Sequence, residues 1–445
     1  MHRESVLARY VNGAPVVARE HPHPRLFPLP FNLSQRQAVE HALSFQVSVV
    51  EGGPGMGKTQ VVANVVANLL AQPGASVAVV AADDAGVEEV RERLREAGMG
   101  VALAGLGAAE RRDAFFASQA SGNEALAEFL AAASRGAAPG GVGSASSSGA
   151  GAAADAAGRL AWVDEHLLEA QRAERRRAEL HAEVAACRLE LDRFRESAAA
   201  GREPDLTVLP RLAAAHPELA ELVPREGDSE QAARFSGIPF FQRDASASDR
   251  GDASASDRGG ARPLVEAQAE FYRCRLVELE GQLSVAAQAV ERMGAPELVD
   301  EHLALSAGVL EAALRHRYEG RVRRDYAAAS YWKELEAFLR DYPVVLSSSA
   351  ELAGSLTRGV MVDSLVVDGG SGLDLLTAAG LLACTRHLVV VGGGEPFALA
   401  REEAGAYEAA PRADVGPYDV GQYSLQSSLV ALYGASLRRV ELRAD

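Results

Sequence analysis

The sequence predicts an α/β protein in which a parallel sheet is interrupted by a long α-helical insertion. Five short runs contain consecutive apolar, β-prone residues, a pattern typical of strands buried on both faces of a parallel sheet. They are Val47–Glu51, Val77–Ala82, Val344–Ser347, Leu365–Asp368 and Leu388–Gly392. The first two precede residue 110 and the last three follow residue 340, so one α/β domain is predicted to be split by the residues between them.

A glycine-rich octapeptide follows the first run. GGPGMGKT fits the P-loop pattern G-x-x-x-x-G-K-[ST], with a β-prone run before it and a helical pattern after it. Its glycines allow successive backbone N–H groups to surround a polyphosphate at a helix N-terminus. Lys58, one of only two lysines in the chain, is expected to reach the β- and γ-phosphates, and the Thr59 hydroxyl to hold Mg²⁺. The predicted phosphate-binding residues are Gly52, Gly53, Pro54, Gly55, Met56, Gly57, Lys58 and Thr59.

The residues between the two groups of strands predict helices and low-complexity sequence. Apolar or small residues recur at three-four spacing over Leu160–Phe194, and a heptad seam covers Tyr272–Met293. Two helices of similar length most simply pair as an antiparallel coiled-coil hairpin, although the heptads can also serve a partner. Low-complexity segments at 134–158 and 244–260, the second with a tandem DASASDRG repeat, are predicted to be flexible.

Composition and charge narrow the possible functions. The 445 residues carry a net charge of −16, which disfavours a surface that binds polyanions generally, so any nucleic-acid site is expected to be local. Three cysteines lie far apart in the chain and predict neither a disulfide framework nor a zinc site. The first residues lack a signal-peptide pattern, and no clean run of about 18 apolar residues occurs. We therefore expect a cytoplasmic protein that does not span a membrane.

Five segments around the P-loop resemble, in order, the motifs of superfamily 1 DNA/RNA helicases. These are AAA-type P-loop ATPases, and the resemblance is to the branch related to nonsense-decay and replication-associated helicases. It implies a RecA-like P-loop NTPase fold, ATP and Mg²⁺ as cofactors, and single-stranded nucleic acid as a partner. It also implies that Gln35 hydrogen-bonds the adenine edge and that Asp368 orders Mg²⁺ together with Thr59. The segments are Phe31–Leu43, Val77–Leu94, Tyr342–Leu352, Asp363–Phe397 and Tyr423–Gly434.

The same segments depart from the helicase pattern where catalysis is expected. Motif II of the family reads Asp-Glu-Ala-Ser, but Asp368 is followed here by Gly369 and Gly370, so the position of the general base has no carboxylate. Loss of a positioned base typically slows a reaction about 10²–10⁴-fold. The family's motif III Asp and Gln are missing from Gly392–Pro396. Motif Ia carries the Asp83–Asp84 pair, whose charges are expected to repel phosphates.

These features divide the chain into four predicted segments. Residues 1–30 are predicted to be an N-terminal tail, 31–107 the first half of the RecA-like motor domain, 108–340 the helical insertion, and 341–445 the second half. Leu437–Asp445 resembles the strand that leads into the second motor domain of these helicases. That domain, with its arginine finger, is therefore expected to be missing here or to be supplied by a partner chain.

Three functional hypotheses remain open. The preferred one is a domain that binds ATP·Mg²⁺, hydrolyses it poorly and cannot unwind nucleic acid alone. The second is a fragment or half of an active helicase, in which Asp374 or Glu395 replaces the missing base. The third is a non-catalytic interaction protein, in which the helical hairpin presents a surface and the motor fold is a remnant.

Overall fold

A single seven-stranded sheet organises the protein. The computed structural model describes residues 2–21, 24–136, 149–199, 261–356, 360–393 and 416–443. The strands are β1 (Val47–Glu51), β2 (Val77–Ala81), β3 (Leu103–Gly105), β4 (Val344–Ser348), β5 (Val362–Asp368), β6 (Thr385–Gly392) and β7 (Arg438–Glu441). Their order across the sheet is β3-β4-β2-β5-β6-β1-β7, and every pairing between them is parallel. The predicted α/β class with a parallel sheet is confirmed.

All five predicted strands are present. β1 has the predicted bounds, whereas β5 and β6 each begin three residues earlier than predicted. The remaining two strands, β3 and β7, form the two edges of the sheet. β3 is only three residues long and contains an alanine and a glycine, which have low β-propensity. β7 lies in the segment for which the resemblance predicts a strand.

Helices cover both faces of the sheet. The α-helices of the described residues, in chain order and including those outside the sheet-containing unit, are α1 (Val6–Val11), α2 (Leu33–Ser44), α3 (Lys58–Leu70), α4 (Asp84–Glu96), α5 (Ala109–Ala117), α6 (Gln119–Gly136), α7 (Gly149–Ala199), α8 (Ala261–Met293), α9 (Ala295–Tyr318), α10 (Leu335–Asp341), α11 (Leu352–Ser355), α12 (Leu375–Leu382) and α13 (Leu425–Tyr433). Val50 of β1 belongs to the core with α2, α3 and α4, whereas Val47 and Val49 belong to the core with α1, α10, α12 and α13. Both faces are buried, which explains the continuous apolar runs. None of the described helices is long and apolar enough to cross a membrane.

The sheet belongs to a compact unit formed by Met1–Leu168 and Pro296–Asp445. This unit extends further into 108–340, the predicted insertion, than the sequence indicates, because it includes α5, α6 and α9. Apolar residues of α6 and α9, among them Leu126 and Leu310, join the core on one face of the sheet, whereas Phe115 and Phe116 of α5 pack against the core on the other face.

The first 30 residues, predicted to be a tail, also pack into this unit. Val6 of α1 is buried in the core on the second face of the sheet. Leu26 and Leu29 are buried on the first face without being helical. Their backbone N–H groups donate to the side-chain oxygens of Asn68 and Asn64 on α3, at 2.9 Å and 3.1 Å. Because side chains of α3 hold this segment in place of regular secondary structure, its apolar residues do not follow a helical or strand period.

A second compact unit is formed by Glu169–Ala295. In it, α7 and α8 run in opposite directions, since Cys187 contacts the Tyr272 carbonyl while Glu183, four residues earlier, pairs with Arg275. The predicted helical insertion is therefore present as an antiparallel helix pair. Its buried seam consists of Leu180, Val184, Cys187, Leu191, Tyr272 and Leu279.

The low-complexity segments lie largely outside the described residues. Within 134–158, α6 continues to Gly136 and α7 begins at Gly149, and the flexibility of the segment stays a prediction. Alanine is the best helix former, so an alanine-rich composition favours helix there. The repeat segment 244–260 lies outside the part of the chain that the structure describes.

Candidate nucleotide-binding site

The carboxyl edge of the sheet brings the predicted site residues together. Glu51 at the end of β1 pairs in register with Gly392 at the end of β6, and Asp368 at the end of β5 pairs with Val391. The P-loop leaves this edge directly after β1 and enters α3 at Lys58. In open parallel sheets, ligands bind in the crevice outside the carboxyl ends of the strands. The P-loop and Asp368 lie at that edge.

Two glycines shape the P-loop. Gly55 and Gly57 have φ values of +77° and +74°, which residues with a side chain rarely adopt. Gly57 is the N-cap residue of α3, and no side chain caps this helix. The first N–H groups of α3 are therefore left for an anion at the positive end of the helix dipole. This is the arrangement that the predicted polyphosphate binding requires.

Lys58 lies back over the loop. Its Nζ donates hydrogen bonds to the carbonyl oxygens of Gly52 at 3.0 Å and Gly53 at 2.8 Å. An ammonium carries three N–H donors, so one remains after these two bonds. Lys58 can therefore reach a phosphate oxygen while the loop still orients it.

Gln35 contacts the backbone of the P-loop. Its Nε2 donates to the Met56 carbonyl at 3.1 Å, and its Oε1 accepts from the Asn32 N–H at 3.1 Å. Asn32 in turn caps α2, so the two residues form a capping box. Each end of the Gln35 amide has one protein partner, and one N–H and one oxygen lone pair remain for a further hydrogen bond. The adenine contact stays a prediction, while the link between α2 and the P-loop is observed.

Three oxygen-bearing side chains, those of Thr59, Glu89 and Asp368, lie near the N-terminus of α3. The Thr59 hydroxyl donates a hydrogen bond to Oε1 of Glu89, on α4, at 3.1 Å. Burial, together with the nearby charge of Glu89, raises the pKa of Asp368 to about 6, against the opposing effect of Lys58. Carboxylate and hydroxyl oxygens are donors that Mg²⁺ prefers, so the residues present fit this ion. Glu89 was not predicted from the sequence.

The base position of motif II lies on a backbone that favours glycine. Gly369 has a φ of +93°, and a Cβ added to Gly370 would lie 2.2 Å from Cγ1 of Val390. The N–H groups of both glycines donate to the Val391 carbonyl. A side chain at either position therefore requires this turn to change its conformation. The backbone at these two positions therefore favours glycine over a residue with a side chain.

Asp374, one of the two candidates to replace the base, has a structural role. Its Oδ1 accepts hydrogen bonds from the N–H groups of Leu376 and Thr377, both at 2.9 Å, and it caps α12. Helix capping accounts for this carboxylate without catalysis. The other candidate, Glu395, lies within 394–415, outside the described residues, as does most of the predicted motif III run.

The two aspartates of motif Ia are also engaged locally. Asp83 caps α4 and accepts a hydrogen bond from the Gly86 N–H at 2.8 Å. Asp84 lies 3.2 Å from Arg111 Nη2. A helix N-terminus and an arginine both offset negative charge. The repulsion of phosphates by this pair is therefore weaker than two free carboxylates would cause.

A further polar residue at this edge was missed by sequence reasoning. Nε2 of Gln426, on α13, donates to Glu51 Oε1 at 3.2 Å and to the Gly393 carbonyl at 3.0 Å. A Cβ added to Gly392 would lie 2.1 Å from Gln426 Oε1, so the end of β6 needs a glycine for this contact. Gln426 ties α13 to the ends of β1 and β6.

Comparisons with known proteins agree with this geometry. The AAA domain family matches residues 35–186, a range that begins at Gln35 and contains the P-loop and α4. The regulator of nonsense transcripts 1 homolog of Drosophila melanogaster is 36% identical over 84 residues, which are 18% of this chain and 7% of that protein. The chain contains a superfamily 1 helicase-like P-loop domain.

The family match does not reach every residue of the helicase-like site. It includes Gln35, the P-loop and Glu89, but it ends at residue 186, before Asp368 and Gly369. The predicted role of Asp368 as a metal ligand therefore rests on its place at the sheet edge and on the resemblance.

Proposed function

We propose that this chain binds ATP·Mg²⁺ at its P-loop and hydrolyses it slowly. The observation that carries the proposal is the loop itself, with its two positive-φ glycines, the uncapped N-terminus of α3 and the lysine that lies over it. A polyphosphate needs N–H donors and an ammonium at one place, and this edge of the sheet has both. The helicase-like nature of the domain favours ATP as the nucleotide.

Thr59 and Asp368 are assigned to the divalent cation, which offsets the negative charge of the phosphates when it is bound. Because the pKa of Asp368 is about 6, its carboxyl is ionised at pH 7.5 and available as a ligand. The hydroxyl of Thr59 can act as a metal ligand in its neutral form.

Slow hydrolysis follows from the base position. Gly369 has no side chain, and Asp374 is engaged as a helix cap. A typical enzyme turns over at about 10 s⁻¹. Loss of a general base costs about 10²–10⁴-fold, which gives an expected rate of roughly 10⁻³–10⁻¹ s⁻¹.

A binding experiment tests the nucleotide role. Lys58→Ala is expected to weaken the binding of a fluorescent ATP analogue in Mg²⁺ by about 10–100-fold, the value of a charge-assisted contact to phosphate. Lys333→Ala is the matched control, since it removes the only other lysine, which lies beside Trp332. Its affinity should equal that of the unmodified protein. Absence of saturable binding, or equal binding after Lys58→Ala, contradicts the proposal.

Phosphate release, measured with and without single-stranded DNA or RNA, tests the second part. We propose single-stranded nucleic acid as the partner, because the domain is helicase-like. Turnover above roughly 1 s⁻¹ would exceed the range expected without a base and would refute slow hydrolysis.

A further inference from the structure

Glu89 lies in an unexpected place for a helix-surface glutamate. Its Oε1 is 3.1 Å from the hydroxyl of Thr59, the residue assigned to the cation. Asp368, the second assigned ligand, ends β5 at the same edge of the sheet from which the P-loop leaves β1. α4 thus contributes a carboxylate to the edge of the sheet at which motif II has two glycines.

The spacing of these oxygens suits a small cation. Mg²⁺ holds six oxygens at about 2.0–2.1 Å in an octahedron, so neighbouring ligand oxygens are about 3 Å apart. Oγ1 of Thr59 and Oε1 of Glu89 already have that separation. Within the described residues, no cluster of three or more His, Cys, Asp or Glu forms a metal site by itself. Mg²⁺ is usually bound by one or two carboxylates together with waters and substrate phosphates, so the cation should bind together with the nucleotide.

We infer that Glu89 is part of the divalent-cation site of this P-loop, where it adds a second carboxylate to Asp368 and Thr59. The inference rests on the proposed function, because the cation comes with the nucleotide. In this arrangement α4 contributes a negative charge to the cation site, whereas Gly369 and Gly370 have no side chain that could do so. Without a cation, the same charge faces the triphosphate and opposes binding.

The neighbouring glutamate provides a matched control. Glu88 precedes Glu89 on α4 and is exposed, but it pairs with Arg91 at 3.3 Å. Glu88→Gln and Glu89→Gln therefore remove the same charge from adjacent positions of one helix. The amide of Glu89→Gln retains an oxygen that can accept the hydrogen bond of Thr59, so the contact between α3 and α4 is preserved.

The test measures the affinity for a fluorescent ATP analogue in Mg²⁺ and again in EDTA. Glu89→Gln should weaken binding in Mg²⁺ and strengthen it in EDTA. The dissociation constant in EDTA divided by that in Mg²⁺ should therefore fall by about tenfold or more, which is the range seen when a residue around a metal is lost. Glu88→Gln should leave the ratio unchanged. Electron paramagnetic resonance can also measure the affinity for Mn²⁺ in the presence of the nucleotide. This affinity should fall in Glu89→Gln and stay unchanged in Glu88→Gln.

The outcomes separate the two proposals. If the unmodified protein shows no saturable nucleotide binding, the proposed function fails and this inference fails with it. If the unmodified protein binds in a Mg²⁺-dependent way and Glu89→Gln has an unchanged ratio, only the inference is overturned. A purely structural role for Glu89 predicts lower thermal stability with an unchanged ratio, which would also overturn it.

Discussion

Alanine substitutions at Gly55 and Gly57 measure the energetic cost of a single contact in the P-loop, the one between residue 57 and Gln35. Both have a positive φ, so alanine at either position meets the same backbone strain. They differ in their surroundings. A Cβ added to Gly55 has nothing within 4 Å, whereas one added to Gly57 would lie 2.3 Å from Gln35 Nε2 and 3.0 Å from Gln60 Oε1.

The expected costs follow from these contacts. A left-handed conformation costs a residue with a side chain about 1–2 kcal/mol, so Gly55→Ala should lower the free energy of unfolding by about 1 kcal/mol. For Gly57→Ala, the amide of Gln35 must also move. It is buried and held by hydrogen bonds to Asn32 and Met56, each of which contributes about 1 kcal/mol. Gly57→Ala should therefore cost about 2–3 kcal/mol in total.

Urea unfolding followed by tryptophan fluorescence measures the difference. The chain has two tryptophans, Trp162 and Trp332, and both lie in the sheet-containing unit, so the signal reports on that unit. Gln35→Ala removes the group that the new Cβ meets. In a double-mutant cycle, Gln35→Ala should recover about 1–2 kcal/mol of the cost of Gly57→Ala.

Two results would refute this reasoning. One is a Gly57→Ala variant no less stable than Gly55→Ala. The other is an extra cost that persists in full when Gln35 is absent, because the crowding would then come from another group.

Three further variants test charges in the same unit. Asp368→Asn should raise the free energy of unfolding by about 3 kcal/mol at pH 7.5 and by little at pH 4, because burial and Glu89 raise the pKa of Asp368 to about 6 and its ionisation destabilises the folded state as the pH rises above 4. A pH-independent effect in urea titrations would count against this. Asp164→Ala removes the partner of buried Arg36, at 2.6 Å, and of His302 at 2.9 Å, and should cost about 3 kcal/mol. Glu40→Ala, which removes the more exposed partner of Arg36, should cost less than about 1 kcal/mol, and equal losses would contradict the difference in burial.

The strands and the P-loop were predictable because their signals are local. An apolar run such as Val47–Glu51 and a glycine pattern after it need no information from distant residues. β3 was not predictable in this way, because Leu103–Gly105 has little β-propensity and becomes a strand by pairing with β4. The packing of Leu26 and Leu29 was missed for a related reason, since it depends on two asparagines of α3.

Within the site, the sequence located the elements but not the orientation of every side chain. The helix that carries Glu88 and Glu89 was part of a predicted motif, yet adjacent helix residues point about 100° apart. Which of them faces Thr59 depends on how α4 packs against the sheet. Asp374 shows the opposite case, since it was one of two carboxylates considered as a replacement for the missing base, whereas the structure places it at a helix N-terminus.

The order of the strands bears on how the polypeptide folds as it leaves the ribosome. β1, β2 and β3 are made first, yet no two of them are neighbours in the sheet, because each lies beside strands that are made after residue 340. At about 5–20 residues per second, synthesis of the chain from β3 to β4 takes roughly 12–50 s. For that time the apolar strands have no hydrogen-bonding partner. The nascent chain therefore presents unpaired β-prone segments, which are substrates for chaperones and for aggregation.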